Sequence, residues 1–187
     1  AIFFYPMTAL SRLHAAIFAP IERADWLLPT LARFLFAAVL AAYFWVSGLT
    51  KLGDGIAGLW TPSLGAYAQI FPKAMEAVGY DVEALSLFHW AVVTLGTWAE
   101  FILPALIIVG LLTRLSALGM IGFIVVQSLT DLYGHNKWDD ALVLGGWFDA
   151  PSGSLIMDQR SLWVFLLLVL VVKGAGPLSF DRALSRT

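Results

Sequence analysis

The chain has 187 residues, of which 60% are hydrophobic and 13% charged, and its formal net charge is −2. Soluble domains carry about 25% charged residues, so this composition excludes an ordinary soluble domain and indicates an all-α integral membrane protein. The sequence contains no cysteine, which excludes disulfides and thiolate-held iron–sulfur clusters. It also has no basic stripe of the kind that binds nucleic acid.

The N-terminal segment, residues 1–29, is too polar and too often interrupted by proline to cross a membrane. Its apolar residues recur at helical spacing around Arg12 and His14, which predicts a short helix lying on the membrane surface. The residues that set this spacing are Met7, Leu10, Leu13, Ile17 and Phe18.

The remainder of the chain predicts a four-helix membrane domain, residues 30–182, followed by a short tail, residues 183–187. A helix needs about 20 residues to cross the hydrocarbon core of a bilayer, and four apolar stretches meet or approach this length. The fourth has the shortest apolar run, so it spans only if Lys173 snorkels and the helix continues on either side. The predicted spans are residues 30–50, 85–112, 115–133 and 159–174.

Two long loops connect these spans on the outer side of the membrane. In the first loop, Leu64–Met75 predicts an interfacial helix broken by Pro72. The second loop, residues 134–159, is acidic and rich in Gly, Pro and Asp, so turns and a short hairpin are expected there. The predicted architecture is therefore a four-transmembrane-helix bundle with an N-terminal interfacial helix and two long outer loops.

The distribution of charge predicts the orientation. Four spans place both termini on one side, and most of the basic residues lie on that side, whereas nine carboxylates lie on the side of the two loops. Because basic residues concentrate on the cytoplasmic side of membrane proteins, the termini are expected in the cytoplasm. Charged residues at helix ends are expected to snorkel toward water; they are Arg33, Lys51, Arg114 and Lys173.

Glu100 is the most informative residue, because it is a carboxylate within the second predicted span. A charge at the bilayer centre costs about 3 kcal/mol on insertion scales. Counted at about 1.5 Å of rise per residue, Gln127 and Tyr43 fall at the same depth as Glu100. Ser47 and Thr97 lie about one turn away. These side chains predict one polar layer near the midplane, since polar groups satisfy one another where water is absent.

The polar layer has several interpretations. It is a structural hydrogen-bond network with a neutral Glu100 that donates to Gln127 or a backbone carbonyl, or it is a pocket for a quinone-like headgroup or a lipid. Alternatively, Glu100 carries protons or faces a partner subunit. His89 and His135 both fall near the outer surface and are candidate ligands for a haem or a metal ion, but interfacial histidines are common and we expect no intrinsic cofactor or metal.

Three motifs, taken in order, resemble a known family. Residues 33–52 open on arginine and close on Ser-Gly-Leu-Thr-Lys-Leu; Glu100 precedes Gly-Leu-Leu-Thr-Arg-Leu at 110–115; and residues 174–181 read Gly-x-Gly-Pro-Leu-Ser-x-Asp. This order resembles the DoxX family of four-helix bacterial membrane proteins. The resemblance implies a bundle in the bacterial cytoplasmic membrane that is associated with oxidoreductase systems such as thiosulfate:quinone oxidoreductase. It also implies a set of polar landmarks: Arg33, Lys51, Glu100, Arg114, His135 and Asp181.

These observations lead to three functional hypotheses. The first is an accessory, non-catalytic membrane subunit of a larger bacterial electron-transfer or oxidoreductase complex, which contacts its partner through the helices and outer loops. The second is a quinone-reactive oxidoreductase component in which Glu100 handles protons. The third is a small transporter, although four helices without inverted repeats are an unusual transporter architecture. The expected ligands are membrane lipids and a quinone or bound lipid.

Overall fold

The computed structural model describes residues 8–185, and no strand forms within that range. Four of its helices are long and apolar enough to cross a membrane. The protein is therefore an all-α, four-span membrane protein, as the composition predicts. Its helices are α1 (Ala9–Glu22), α2 (Leu27–Lys51), α3 (Leu64–Ile70), α4 (Pro72–Ala77), α5 (Leu87–Val109), α6 (Thr113–Gly134), α7 (Leu155–Lys173) and α8 (Phe180–Leu184).

The four spans α2, α5, α6 and α7 pack in a ring, in which each helix contacts the next and α7 returns to α2. Their shared core contains Phe36 and Phe44 of α2, Met120 of α6 and Leu167 of α7, all fully buried. We call the end of the bundle near Lys51 and Gly134 the loop end, and the end near Val109 and Lys173 the terminal end.

The fourth span is longer than the sequence pattern predicts. It begins at Leu155 with a π-helical turn, Leu155–Arg160, so the helix reaches 19 residues. The N–H groups of its first turn need acceptors outside the helix, and the carbonyls of Leu142, Val143 and Leu144 accept hydrogen bonds from residues 155–157. These bonds take the place of the expected hairpin in the second loop.

The first loop folds over the loop end of the bundle. Its helix is broken as predicted: α3 ends at Ile70, Phe71 leaves the helical region at φ −125° and ψ 58°, and Pro72 starts α4. Tyr67 and Met75 pack against Val93 of α5. The first loop thereby covers one face of the first third of α5, around Val93, whereas Leu87 and Phe88 stay exposed.

The N-terminal segment contains the predicted short helix. Helix α1 begins after Thr8, whose side chain accepts a hydrogen bond from the backbone N–H of Ser11, and its apolar residues Leu10, Leu13 and Ile17 are exposed. An exposed apolar face suits a helix lying on a membrane. Residues 1–7, including Met7, and residues 186–187 of the predicted tail lie outside the described residues.

Arg33 joins the helix ends at the terminal end of the bundle through hydrogen bonds. It does not snorkel toward water, which corrects the expectation from the sequence. Its guanidinium donates to the carbonyls of Ile107 and Ala175 at 3.0 Å each, and also to the carbonyls of Ile108 and Leu178. The last carbonyls of a helix have no partner within it. A planar guanidinium with five donors satisfies several of them at once, so Arg33 connects α2, α5 and the C-terminal segment.

Asp181 caps the neighbouring helix. Its carboxylate oxygens accept hydrogen bonds from the backbone N–H groups of Leu112 at 2.7 Å and Thr113 at 2.9 Å, where α6 begins. Burial alone raises the pKa of Asp181, but these hydrogen bonds and the nearby charge of Arg33 outweigh it, so the pKa lies below its ordinary value. The carboxylate form is therefore the one that caps α6.

Candidate functional site

The centre of the candidate site is a buried ion pair between Lys51 and Glu100. The ammonium Nζ of Lys51 lies 2.9 Å from Oε1 and 3.0 Å from Oε2 of Glu100. Ser47 completes the group: its hydroxyl accepts from Lys51 at 2.6 Å and donates to Glu100 Oε1 at 2.9 Å. Only 4% of Lys51 and 1% of Glu100 are exposed. These contacts favour a charged pair, because each ion satisfies the other.

This arrangement corrects two expectations. Lys51 is predicted to snorkel to water, but the first loop returns to the end of α2: the backbone N–H of Ser63 donates to the Lys51 carbonyl, and Gln69 and Ile70 line the same cavity as Lys51. The ammonium is buried and binds Glu100 instead. The interpretation in which Glu100 donates to Gln127 or a backbone carbonyl is likewise not the observed arrangement, since the hydrogen bonds of Glu100 are to Lys51 and Ser47.

The close approach of α2 and α5 depends on Gly48. A Cβ atom at this position would lie 2.7 Å from the Phe101 ring, a separation that side chains do not tolerate without rearrangement. Trp45, one turn earlier, donates from Nε1 to the carbonyl of Phe101 at 3.3 Å. A small residue at the helix crossing lets membrane helices approach closely, which brings Ser47 and Lys51 within reach of Glu100.

A cavity of about 250 Å³ lies beside the pair, mainly between α5 and α6. Lys51 and Glu100 both line it, so the charged pair forms part of its wall. The rest of the lining is mostly apolar, and small residues keep it open: Gly96, Ala99, Gly119 and Gly122. A Cβ atom added at Gly96 or Gly122 would have no atom within 4 Å beyond the nearby backbone of its own helix. The missing side chains therefore leave open space beside α5 and α6.

The predicted polar layer does not form one hydrogen-bond network: Ser47 bonds to Glu100, Gln127 bonds to Tyr43, and Thr97 bonds within its own helix. Gln127 donates from Nε2 to the hydroxyl of Tyr43 at 3.0 Å, and its Oε1 has no partner among the residues that the structure describes. Gln127 also lines the cavity, whereas Tyr43 lies behind it and packs on Trp163. Thr97 is buried and donates to the carbonyl of Val93 in its own helix. Thr97 thus belongs to the scaffold, and Gln127 to the cavity.

A second ion pair at the loop end was not identified from the sequence. Arg160 lies 2.7 Å from Oδ2 of Asp131 and donates to Ser128 at 3.0 Å, with only 4% of its side chain exposed. Asp131 lines the same cavity as Glu100. Arg160 lies at the start of the predicted fourth span, residues 159–174, and no partner was predicted for it. The detectable signal was one basic and one acidic residue at the adjoining ends of neighbouring spans.

The two histidines are not brought together as metal ligands. His89 contacts the hydroxyl of Ser86 at 2.8 Å and packs edge-on against Phe71, and His135 contacts the carbonyl of Gln69 at 2.8 Å. Within residues 8–185, no group of three or more His, Cys, Asp or Glu side chains could hold a metal ion. Both histidines instead help to attach the first loop to the spans.

The other charged helix ends are exposed. Arg114 lies beside Gly174 at the terminal end. Lys173 makes a long contact of 3.5 Å with Asp25, in which both side chains remain accessible. Both positions agree with snorkelling residues at a membrane boundary.

A family model described as DoxX matches residues 29–130, which is more than half of the chain. The chain belongs to the DoxX family. The matched region of this DoxX protein includes Lys51, Glu100 and the helices on both sides of the cavity. The fourth span and Asp181 lie beyond the match. Searches among curated proteins and among solved structures found no match.

Proposed function

We propose that this DoxX protein is a quinone-binding membrane component of a bacterial oxidoreductase system. The observation that carries the proposal is the Lys51–Glu100 pair in the wall of a largely apolar cavity between α5 and α6. Ligand sites are typically apolar clefts with a few well-placed polar groups. The cavity has an apolar wall with a few polar groups, and it lies between two membrane-spanning helices, where lipid-soluble molecules are the available ligands.

The residues present suit a quinone headgroup. A quinone ring is flat and apolar, with carbonyl acceptors at opposite edges. Gln127 has two amide hydrogens, of which only one is used, by Tyr43, so the other is available to a quinone carbonyl. The ammonium of Lys51 is engaged with Ser47 and Glu100 and supplies positive charge at the wall. The unpartnered Oε1 of Gln127 can accept from a hydroxyl group, which is the group that replaces a carbonyl when the quinone is reduced.

Reduction of a quinone to a hydroquinone consumes two electrons and two protons. In this proposal Glu100 relays both protons from the aqueous phase, one after the other: its carboxylate, which accepts hydrogen bonds from Lys51 and Ser47, takes up a proton and passes it to a quinone oxygen. The electrons come from a partner protein, so the protein is a subunit of a larger electron-transfer complex and has no redox centre of its own. The second loop supports a partner contact, because Trp147 is 63% exposed and Phe148 is fully exposed, and exposed aromatic residues are typical of interaction surfaces.

We further propose that the protein lies in the cytoplasmic membrane with its termini in the cytoplasm. The support is the concentration of basic residues at the terminal end, including Arg114, Lys173 and Arg182. This orientation places the cavity and the two long loops toward the outer side. The transporter hypothesis remains a prediction, and unchanged solute flux after replacement of Glu100 would remove it.

Filling the cavity tests the proposal without breaking the ion pair. Gly122→Leu places an apolar side chain in space that a Cβ atom enters without contact. Gly65→Leu, at an exposed position of α3 outside the cavity, is the matched control. We expect the wild type and Gly65→Leu to retain quinone through mild-detergent purification and to bind a short-chain quinone. Gly122→Leu should lose both properties while keeping its helicity. Equal quinone retention in all three proteins would refute the proposal.

A further inference from the structure

Two further cavities lie at the terminal end of the bundle, away from Lys51 and Glu100. The larger has a volume of about 480 Å³ and lies among the loop before α2, the end of α7 and α8. Three cationic side chains line it, Arg23, Lys173 and Arg182. They come from three different segments of the chain, so the fold brings them to one place.

The anionic side chains of this cavity leave its cations available. Asp181 is engaged with the backbone N–H groups at the start of α6, and Asp25 makes only the 3.5 Å contact with Lys173. The guanidinium groups of Arg23 and Arg182 have no partner among the residues that the structure describes. The cavity can therefore hold an added anion, and a phosphate group offers the oxygen atoms that guanidinium groups bind best.

An apolar cavity adjoins the polar one. It has a volume of about 260 Å³, lies between α1 and the start of α2, and is lined mainly by Phe18, Ile21, Leu27 and Leu28, with the carboxylate of Glu22 also in its wall. The two cavities share Asp25 and Lys173 in their walls. A polar compartment with excess positive charge thus continues into an apolar groove.

We propose that these two cavities form a binding site for one anionic phospholipid. The phosphate binds Arg23, Lys173 and Arg182, and an acyl chain lies in the groove between α1 and α2. Trp26, in the wall of the polar cavity, is the residue type that marks the membrane interface. Basic pockets between helices on the cytoplasmic side are recognised sites for anionic headgroups. A free phosphate shares the charge chemistry but leaves the groove empty, and the groove is what selects a lipid.

The site is separate from the quinone cavity in position and in ligand chemistry. The lipid would order α1 against the bundle, because it contacts residues of α1 and of α2 together. No residue of either terminal-end cavity lines the cavity beside Glu100. The two proposals can therefore fail independently, and quinone retention should not change when the lipid site is removed.

Native mass spectrometry of the delipidated full chain tests this site. The protein is incubated with phosphatidylglycerol or with phosphatidylcholine of the same acyl chains, and bound lipids are counted. We expect one retained phosphatidylglycerol in the wild type and at least tenfold weaker retention of phosphatidylcholine. The double variant Arg23→Gln/Arg182→Gln should weaken phosphatidylglycerol retention about thirtyfold, since two basic contacts are lost.

The matched control is Arg12→Gln/Arg114→Gln, which removes the same charge from exposed positions of α1 and α6 outside both cavities. Retention equal to the wild type in this control supports the site, whereas an equal loss in both double variants overturns it in favour of general surface charge. Phe18→Ser/Ile21→Ser tests the groove and should also weaken retention. Displacement of the lipid by inorganic phosphate alone, with no effect of the groove variant, would replace the lipid site by a free-anion site. Helicity by circular dichroism confirms that each variant is folded.

Discussion

Breaking the Lys51–Glu100 pair from either side should destabilise the protein, with opposite dependence on pH. Both side chains are almost fully buried and joined by bonds of 2.9 and 3.0 Å. Removal of one partner of such a pair typically costs about 3–5 kcal/mol, because the remaining charge is left buried and unpaired. We therefore expect Lys51→Met and Glu100→Gln each to lower the free energy of unfolding by an amount in this range.

The destabilisation caused by either substitution cannot exceed the free energy of neutralising the side chain that is left unpaired, since that side chain can gain or lose a proton. At pH 7 the neutralisation of an ordinary carboxyl group costs about 4 kcal/mol, and that of an ordinary ammonium group about 5 kcal/mol. The cost of neutralising a carboxylate falls as pH is lowered, and the cost of neutralising an ammonium group falls as pH is raised. The defect of Lys51→Met should accordingly shrink toward pH 5, and that of Glu100→Gln should shrink toward pH 9. Each changes by at most about 1.4 kcal/mol per pH unit.

The double variant Lys51→Met/Glu100→Gln provides the control, because it leaves no unpaired charge. Its stability should lie within about 1 kcal/mol of the wild type, which gives a coupling energy of several kcal/mol in a double-mutant cycle. The assay is denaturant unfolding in mixed micelles, followed by circular dichroism between pH 5 and pH 9. Single variants that stay within 0.5 kcal/mol of the wild type, taken as roughly the limit of additivity, would refute the buried ion pair.

Three further predictions concern the scaffold. Asp181→Asn should cost about 1 kcal/mol at pH 7, since an amide has one acceptor oxygen where the carboxylate uses two for the N–H groups of Leu112 and Thr113. Because the folded-state pKa of Asp181 is lowered, this stability is present above the unfolded pKa and is lost as pH falls through the folded value, so melting curves of wild type and variant should converge only below the ordinary carboxyl range. Arg33→Lys should cost about 2 kcal/mol in denaturant unfolding, since a single ammonium cannot reach all the carbonyls that the guanidinium joins. Gly48→Ala should cost about 1–3 kcal/mol in the same assay through its clash with the Phe101 ring; stability equal to that of the wild type would show that α2 and α5 do not cross closely there.

The number and approximate limits of the spans could be predicted from hydropathy, because the length of an apolar run determines whether a helix can cross a bilayer. The break at Pro72 was also predictable, since proline lacks the donor that an intact helix needs. Both features are local. The fourth span was predicted to start at residue 159 and not at Leu155, because its first turn contains the charged residue Asp158. The tertiary contacts of Arg160 with Asp131 and Ser128 are not visible in a hydropathy pattern.

The polar layer was predicted only in part. Glu100 was identified because a carboxylate in a span is costly, and Ser47 was placed near it by counting along the helices. The partner of Glu100 could not be identified in this way, since the burial of Lys51 depends on a loop that folds back over the end of α2. Depth along the helices also cannot tell side chains that face each other from side chains on different faces. For this reason the pairing of Gln127 with Tyr43, and not with Glu100, could not be predicted.

Photoaffinity labelling with a quinone carrying a photoreactive group near the ring tests the central claim most directly. The labelled full-length protein is digested, and the modified residues are identified by mass spectrometry. We predict labels within residues 92–103 of α5 and residues 119–131 of α6, which flank the cavity, and their loss in Gly122→Leu. Labels confined to lipid-facing residues outside these segments, or equal labelling of Gly122→Leu, would contradict the assignment of this cavity to a quinone.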